Sequence, residues 1–173
     1  MKKILLIEDE PSIRENMIEI LNFFNFHVVH ASDGVEGVEL ALLEKPDVII
    51  CDINMPEMNG YEVLDHVRKN ESIDNTPFIF LTARTEKDDF RKCMNLGADD
   101  YLTKPCTAQE LLDAVYARIE RTDKIKQKIQ EQMNHLVQEL NNVSSHEFRT
   151  PLNAIMYSNE TVCKSIENLR GHI

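Results

Sequence analysis

The chain has 173 residues, a hydrophobic content of 42% and a formal net charge of −11 at pH 7, which suits a soluble globular protein of one or two domains. Its apolar run near the amino terminus ends at Ile7, too early for a signal peptide or a membrane span. We therefore expect a cytoplasmic chain without a membrane span. The acidic balance disfavours nucleic acid as a partner, because phosphate contacts need Lys and Arg.

The charge is unevenly distributed along the chain. Residues 1–121 carry 24 acidic and 13 basic side chains, whereas residues 122–173 carry six of each. Such a change of composition is typical of a boundary between segments. We predict a first domain over 1–121, a helical coiled-coil linker over 122–143 and a further helical segment over 144–173.

Short apolar runs alternate with longer helical patterns in the first 121 residues. The runs are apolar throughout, which is typical of strands buried on both faces of a parallel sheet. They cover 4–7, 26–29, 48–51, 78–81 and, more weakly, 100–102.

Apolar residues at helical spacing follow each of these runs. The helical segments are Ile13 to Phe24, Val35 to Leu43, Tyr61 to Val67, Phe90 to Met94 and Leu111 to Ile119. Five successive βα units predict an α/β fold with a doubly wound, five-stranded parallel sheet and helices on both faces.

Polar side chains stand at the ends of four predicted strands. Glu8 and Asp9 follow the first, Asp52 the third, Thr82 the fourth and Lys104 the fifth. The carboxyl ends of parallel strands meet at one edge of the sheet, so we expect these five side chains to lie close together. A lone acidic residue there is usually a cap, but three carboxylates repel each other unless a cation lies among them. Oxygen ligands of this kind predict Mg²⁺, with Asp9 as a direct ligand and Glu8 acting through water or at longer reach.

The same cluster has the groups needed to accept a phosphoryl group. A carboxylate can form an aspartyl phosphate, and Asp52 lies between the acidic pair and the pair Thr82 and Lys104. Lys104 would neutralise a phosphoryl oxygen, and Thr82 would donate a hydrogen bond to it. A metal-dependent hydrolase of small phosphoesters would use the same pocket, although it would not explain the helical tail.

Four strings in residues 1–121 together resemble the response-regulator receiver domain of two-component signalling. The strings are LLIEDE at 5–10, DINMPEMNG at 52–60, LTA at 81–83 and DDYLTKP at 99–105. The resemblance implies a flavodoxin-like sheet with the strand order 2-1-3-4-5. It also implies that Asp52 is phosphorylated by a cognate histidine kinase or phosphotransfer protein. Mg²⁺ would be held by Asp9, Asp52 and the backbone carbonyl of Asn54. One departure is Glu8, where the family more often has Asp.

The resemblance further implies a cis Lys104–Pro105 bond and a switch pair. Thr82 would move toward the phosphoryl group, and the ring of Tyr101 would turn inward behind it, as a local charge change biases a two-state surface. From the residues alone, a half-buried aromatic at the edge of the sheet is almost as good an interpretation of Tyr101 as the switch role.

Residues 122–173 show no strand pattern. Apolar side chains recur at alternating spacings of four and three residues, which is typical of a coiled-coil seam. The seam is Ile129, Met133, Leu136, Leu140 and Val143. We expect two copies of the chain to form a homodimer through this helix; packing of the helix on its own domain is the alternative.

The string SSHEFRTPLNAI at 144–155 resembles the H-box of the dimerisation and phosphoacceptor domain of sensor histidine kinases. On a helix, His146 and Thr150 share one face. The resemblance implies that His146 is the phosphoacceptor, Glu147 its acid/base partner and Thr150 a group that helps to place water for dephosphorylation of a receiver. The second helix and the ATP-binding domain of that family do not follow. We therefore expect a truncated receiver–histidine kinase hybrid that cannot phosphorylate itself; a natural fragment acting with a partner is the alternative.

Two functions of different classes remain open. The first is a phosphorelay, in which Asp52 takes a phosphoryl group from a phosphohistidine in a Mg²⁺-dependent, self-catalysed reaction and the helical linker relays the switch to a kinase core. The second is a non-catalytic receiver that serves as a docking or dimerisation module. The presence of Asp52, Thr82 and Lys104 together favours the first.

Overall fold

The computed structural model describes residues 1–83 and 97–170, with side chains described for 1–83 and 97–139. The predicted helix at Phe90 to Met94 lies outside the described residues. The chain divides into two compact units, Met1–Lys124 and Ile125–Ile173.

The first unit alternates strands and helices as predicted. The strands are β1 (Lys3–Ile7), β2 (His27–Ala31), β3 (Val48–Asp52), β4 (Phe78–Thr82) and β5 (Asp100–Thr103). The described helices are α1 (Pro11–Phe23), α2 (Gly34–Glu44), α3 (Gly60–Arg68) and α4 (Ala108–Arg170). All five strands are parallel and lie in the order β2-β1-β3-β4-β5. The predicted flavodoxin-like sheet and the long carboxyl-terminal helix are therefore confirmed.

Helices cover both faces of this sheet. Successive side chains of a strand point to opposite faces, so Ile4 and Leu6 join the cluster that packs on α1 and α4. Leu5 and Ile7 join the cluster that packs on α2 and α3. Both faces of β1 are therefore buried, which explains its continuous apolar sequence.

Reciprocal side-chain caps precede two of the described helices, α3 and α4. Asn59 accepts a hydrogen bond from the Glu62 amide, and the Glu62 carboxylate accepts one from the Asn59 amide. Thr107 and Glu110 form the same reciprocal pair before α4. Such capping boxes satisfy amides that the helix itself leaves unpaired. Glu10, the residue before α1, makes no side-chain cap bond.

The second strand corrects one expectation. We expected all five strands to be buried on both faces, but His27 and His30 of β2 are exposed. β2 is an edge strand of the sheet, so only β1 pairs with it and its outer surface is less fully covered.

The second helix corrects another expectation. The apolar pattern points to Val35, Val38, Leu42 and Leu43 as its buried side. Val38 is partly buried against the core, but Leu43 is 75% exposed and Val35 and Leu42 are also exposed. The helix instead packs through its small residues Gly34, Gly37 and Ala41. A Cβ atom at Gly37 would lie 2.5 Å from the Cδ1 atom of Ile7. The backbone of α2 therefore rests directly on β1, and the larger side chains are turned away from this contact.

The second unit is the continuation of α4. Its apolar side chains are each about half exposed over the part of the chain whose side chains are described. They are Ile125, Ile129, Met133, Leu136 and Val137. Among the described residues, no helix has the length and apolarity needed to cross a membrane.

Candidate functional site

Three carboxylates meet at the carboxyl edge of the sheet. One oxygen each from Glu8, Asp9 and Asp52 lies within 4.8 Å of the others. The pairing of β1 with β3 explains this, because Ile7 is in register with Cys51 and the next residue of each strand emerges at the same edge. Glu8 is completely buried, Asp52 is 5% exposed and Asp9 is partly exposed.

Lys104 bridges two of these carboxylates. Its Nζ atom lies 2.6 Å from Oε2 of Glu8 and 2.8 Å from Oδ2 of Asp52. The lysine follows β5, where its amide donates to the carbonyl of Thr82 at 2.7 Å. The Lys104–Pro105 peptide bond is cis, as the resemblance implied. The Lys104 ammonium therefore lies among the carboxylates as predicted, at hydrogen-bond distance from two of them.

Burial and pairing act in opposite directions on the proton affinities of this cluster. Burial raises the pKa of Glu8, and the hydrogen bond from Lys104 only partly opposes it. Burial lowers the pKa of Lys104, but hydrogen bonds to Asp52 and Glu8 outweigh it and leave that pKa above its ordinary value. Lys104 is therefore held as a cation. Among the described residues, one lysine faces three carboxylates, an excess of negative charge that a divalent cation would neutralise.

The loop after β3 wraps around the Asp52 carboxylate. The amide of Asn54 lies 3.3 Å from Oδ1 of Asp52, and the amide of Gly60 donates to the carbonyl of Ile53 at 3.0 Å. A Cβ atom at Gly60 would overlap the backbone carbonyl of Asp52. Gly60 is thus a site residue that the sequence analysis included only within the string at 52–60; its place eight residues after Asp52 was the available signal.

A cleft of about 740 Å³ lies over this cluster. The cleft is lined by Glu8, Asp9, Glu10, Pro11, Ile13, Asp52, Asn54, Ala83, Lys104 and Pro105. Its carboxylate oxygens and Lys104 are chemically suited to a divalent cation and a phosphoryl group.

The predicted switch residues lie on the two neighbouring strands. Thr82 ends β4 and is 4% exposed. Tyr101 lies on β5 beside Phe80 of β4 and is 37% exposed. Their positions fit the expected arrangement at the sheet edge, and their movement on phosphorylation stays a prediction.

The H-box residues lie in the second unit. The backbone of α4 includes His146, Glu147 and Thr150. Their side chains lie outside the described part of the structure. Their phosphoacceptor, acid/base and water-placing roles remain predictions.

This sheet order, with carboxylates and a lysine at its carboxyl edge, defines a flavodoxin-like α/β protein with an acidic cleft. The sequence model of the response regulator receiver domain matches residues 4–116. The chain therefore belongs to the receiver domain family of two-component signalling.

Two curated relatives show the contexts in which such sequences occur. The chain is 37% identical over 127 residues to the DNA-binding dual master transcriptional regulator RpaA of Synechocystis, an alignment covering 73% of this chain and 53% of RpaA. It is 36% identical over 131 residues to hybrid signal transduction histidine kinase D of Dictyostelium discoideum, covering 76% of this chain and 8% of the kinase. The chain thus spans about half of the regulator and a small part of the kinase.

A solved structure adds a comparison for the acidic cleft. The receiver domain of a sensor histidine kinase from Pseudomonas aeruginosa is 30% identical and superimposes with a TM-score of 0.65, covering 69% of this chain and 98% of that one. That structure has a magnesium ion coordinated in its active site cleft. Sequences similar to this chain thus occur in a transcriptional regulator and in histidine kinases, and the solved kinase receiver domain has the same fold.

Proposed function

We propose that this chain is a phosphorelay receiver in which Asp52 accepts a phosphoryl group from a phosphohistidine of a cognate histidine kinase or phosphotransfer protein. The observation that carries the proposal is the position of Asp52. Its carboxylate lies in the acidic cleft, 2.8 Å from the Lys104 ammonium and close to the carboxylates of Glu8 and Asp9.

The transfer is a displacement at phosphorus. A carboxylate oxygen of Asp52 attacks the phosphorus atom, and the bond from phosphorus to the imidazole nitrogen breaks. The electron pair of that bond stays with the imidazole nitrogen. The imidazole leaves as the neutral ring, with one of its nitrogens protonated, and an acyl phosphate forms on Asp52. Lys104 pairs with a phosphoryl oxygen, and the hydroxyl of Thr82 donates a hydrogen bond to another.

The residues at the cleft fit Mg²⁺, since they offer clustered oxygen ligands and an excess of negative charge. Asp9, Asp52 and the carbonyl of Asn54 would hold the ion, with Glu8 acting through water. When bound, the ion supplies neutralisation of the phosphoryl oxygens. Glu8 also pairs with Lys104. Its Oε2 atom lies 2.6 Å from the ammonium nitrogen, closer than the Asp52 oxygen at 2.8 Å.

The helical extension supports a relay to a kinase core. α4 begins beside the site and continues without a break through the H-box string. Its packed part is tied to the sheet by Arg118, whose guanidinium lies 3.1 Å from Asp100. Asp100 precedes the proposed switch residue Tyr101 on β5. A movement of β5 would therefore reach α4 directly through the ion pair between Asp100 and Arg118. A second copy of the chain would cover the half-exposed seam that includes Ile129 and Met133.

Two other functions share parts of these observations. A docking module would retain the fold without phosphorylation of Asp52, and a phosphoester hydrolase would use the same cleft with turnover. The DNA-binding activity named for RpaA belongs to a longer protein, of which the alignment with this chain covers 53%. For this chain, with its net charge of −11, we keep the expectation that nucleic acid is not a partner.

The deciding experiment measures intact mass after incubation with acetyl phosphate and Mg²⁺. We expect the wild type to gain one phosphoryl group and Asp52→Asn to gain none. Asp65→Asn is the matched control, because Asp65 is an exposed acid on α3 and should leave the gain intact. Chelation with EDTA should prevent it. An unmodified wild type would support the docking module, and release of phosphate in many turnovers without Asp52 would support the hydrolase.

A further inference from the structure

The side chain of Arg14 reaches back from α1 to the loop that carries two of the acidic residues. Its Nη1 atom donates to the carbonyl of Glu8 at 2.7 Å and to the carbonyl of Asp9 at 3.2 Å. Its own amide donates to the carbonyl of Glu10 at 3.0 Å. Arg14 therefore contacts three consecutive carbonyls of the segment between β1 and α1.

These bonds hold the backbone of Asp9 from both sides. The carbonyl of Glu8 belongs to the peptide plane before Asp9, and the carbonyl of Asp9 belongs to the plane after it. Fixing two successive peptide planes fixes the φ and ψ angles between them, and those angles determine where the Cβ atom of Asp9 points. On the other side of the loop, the amide of Glu8 donates to the carbonyl of Ala31 at 3.2 Å.

This loop lacks the reciprocal capping box of the loops before α3 and α4, although the Glu10 amide lies 3.4 Å from Oε1 of Glu8 and the Ser12 hydroxyl donates to Oε1 of Glu10. Those helices begin with reciprocal capping boxes, whereas Glu10 makes no side-chain cap bond and Pro11 has no amide hydrogen to donate. The guanidinium of Arg14 is therefore the main side-chain contact described for the carbonyls of Glu8 and Asp9.

We propose that Arg14 is a positioning residue that orients the Asp9 and Glu8 carboxylates for the divalent cation by clamping their backbone carbonyls. The inference rests on the proposed function, because it concerns the same cleft. Arg14 acts through the loop, and the described contacts of its guanidinium are with backbone carbonyls rather than with the carboxylates. Contacts of this supporting kind typically change metal affinity by about 10- to 100-fold when they are lost.

The shape of the guanidinium, rather than its charge alone, carries this role. Two hydrogens on one planar nitrogen can serve two neighbouring acceptors, whereas a lysine ammonium is a point charge on a flexible stem. We therefore expect Arg14→Lys to weaken Mg²⁺ binding although it keeps the charge. Arg14→Met removes the planar donor group and the charge, and should weaken Mg²⁺ binding more. Lys and Met are good helix formers, so neither change should disturb α1 itself.

The test titrates Mg²⁺ into the full, unphosphorylated chain by isothermal calorimetry. We expect the dissociation constant to rise about tenfold in Arg14→Met and by a smaller factor in Arg14→Lys. Arg121→Met is the matched control, because it removes an exposed arginine of α4 and should bind like the wild type. With acetyl phosphate, which needs no protein partner, the Arg14 variants should require more Mg²⁺ yet approach the wild-type rate at saturation.

A second measurement uses the metal-free protein. The amide resonances of Asp9 and Glu10 should shift in Arg14→Lys while those of α3 stay in place. If Arg14→Met does not fold, Arg14→Lys decides the matter. Wild-type affinity and unshifted loop amides in that variant would overturn the inference alone, whereas a wild type that neither binds Mg²⁺ nor accepts a phosphoryl group would overturn the proposed function and the inference with it.

Discussion

The ammonium of Lys104 lies 2.6 Å from the carboxylate of Glu8, a residue with no exposed surface. The same ammonium lies 2.8 Å from Asp52, so one cation supports both a buried acid and the proposed phosphoryl acceptor. Removing it would leave two poorly solvated carboxylates close together, which is a strongly unfavourable arrangement.

We therefore expect Lys104→Met to destabilise the metal-free protein by about 3 kcal/mol, the usual result of removing one partner of a buried ion pair. Urea denaturation followed by circular dichroism measures this free energy of unfolding. Adding Glu8→Gln to the same chain should recover part of the loss, because it removes one of the unpaired charges. Lys69→Met, which breaks an exposed pair on the surface, should change stability by less than about 0.5 kcal/mol. Equal losses in Lys104→Met and Lys69→Met would contradict the expectation.

The raised pKa of Glu8 predicts a pH dependence with a definite sign. The folded state binds this proton more tightly than the unfolded state, so stability falls as the pH rises from the unfolded pKa to the folded pKa. Glu8→Gln does not titrate at this position and serves as the reference. The free energy of unfolding of the wild type should fall relative to that variant between the unfolded and the folded pKa of Glu8, and the difference should be constant at lower and at higher pH. Unfolding free energies in EDTA between about pH 4 and pH 7 measure the difference.

The control for this titration is Glu15→Gln, which removes an exposed charge from α1. A difference between the wild type and Glu8→Gln that grows in favour of the wild type with rising pH would contradict the sign, because it would mean that pairing with Lys104 outweighs burial.

The contact between Gly37 and Ile7 predicts a packing effect. A Cβ atom at position 37 would lie 2.5 Å from Cδ1 of Ile7, so Gly37→Ala should destabilise the fold by about 1–2 kcal/mol, despite the better helix propensity of alanine. Ile7→Val removes the Cδ1 atom, so the alanine should be better tolerated in that background. Thermal or urea unfolding of the four members of this double-mutant cycle measures the coupling. Additive effects would show that the two residues do not meet as described.

The half-exposed seam of α4 predicts the oligomeric state. Ile129→Asp combined with Met133→Asp should convert a dimer into a monomer, because each change places a charge where a second helix would bury an apolar side chain. Gln127→Asp combined with Gln138→Asp adds the same charge on the opposite side of the helix and should leave the dimer intact. Light scattering at several concentrations distinguishes the two. A monomeric wild type would remove the homodimer from the proposal, and phosphorylation of Asp52 should be unaffected in every variant.

Several features of the site followed from local sequence. Glu8 and Asp9 are adjacent in the chain, and Asp52 ends a continuously apolar strand, so the rule that carboxyl ends of parallel strands share one edge was enough to bring them together. The capping box of Thr107 and Glu110 is likewise a local pattern, since its two members are three residues apart.

Other features depended on neighbours that are distant in sequence. Hydrophobic spacing identified α2, and Val38 packs against the core as expected. The spacing was wrong for Val35, Leu42 and Leu43, because the closest contact of α2 is made by Gly37, which contributes no hydrophobicity and matters only through the position of Ile7. The exposed side chains of β2 follow from its place at the edge of the sheet. The residues of β2 alone do not reveal that place.

The amino-acid sequence by itself determined the βα alternation, the set of acidic residues at the strand ends and the apolar seam of the tail, since each is a pattern within one segment or a consequence of strand direction. Only the tertiary structure decided that Lys104 pairs with Glu8 as well as Asp52, and that Arg14 holds the loop of Asp9. Those contacts depend on distances between atoms of different elements, and such distances exist only after the sheet and its helices have packed.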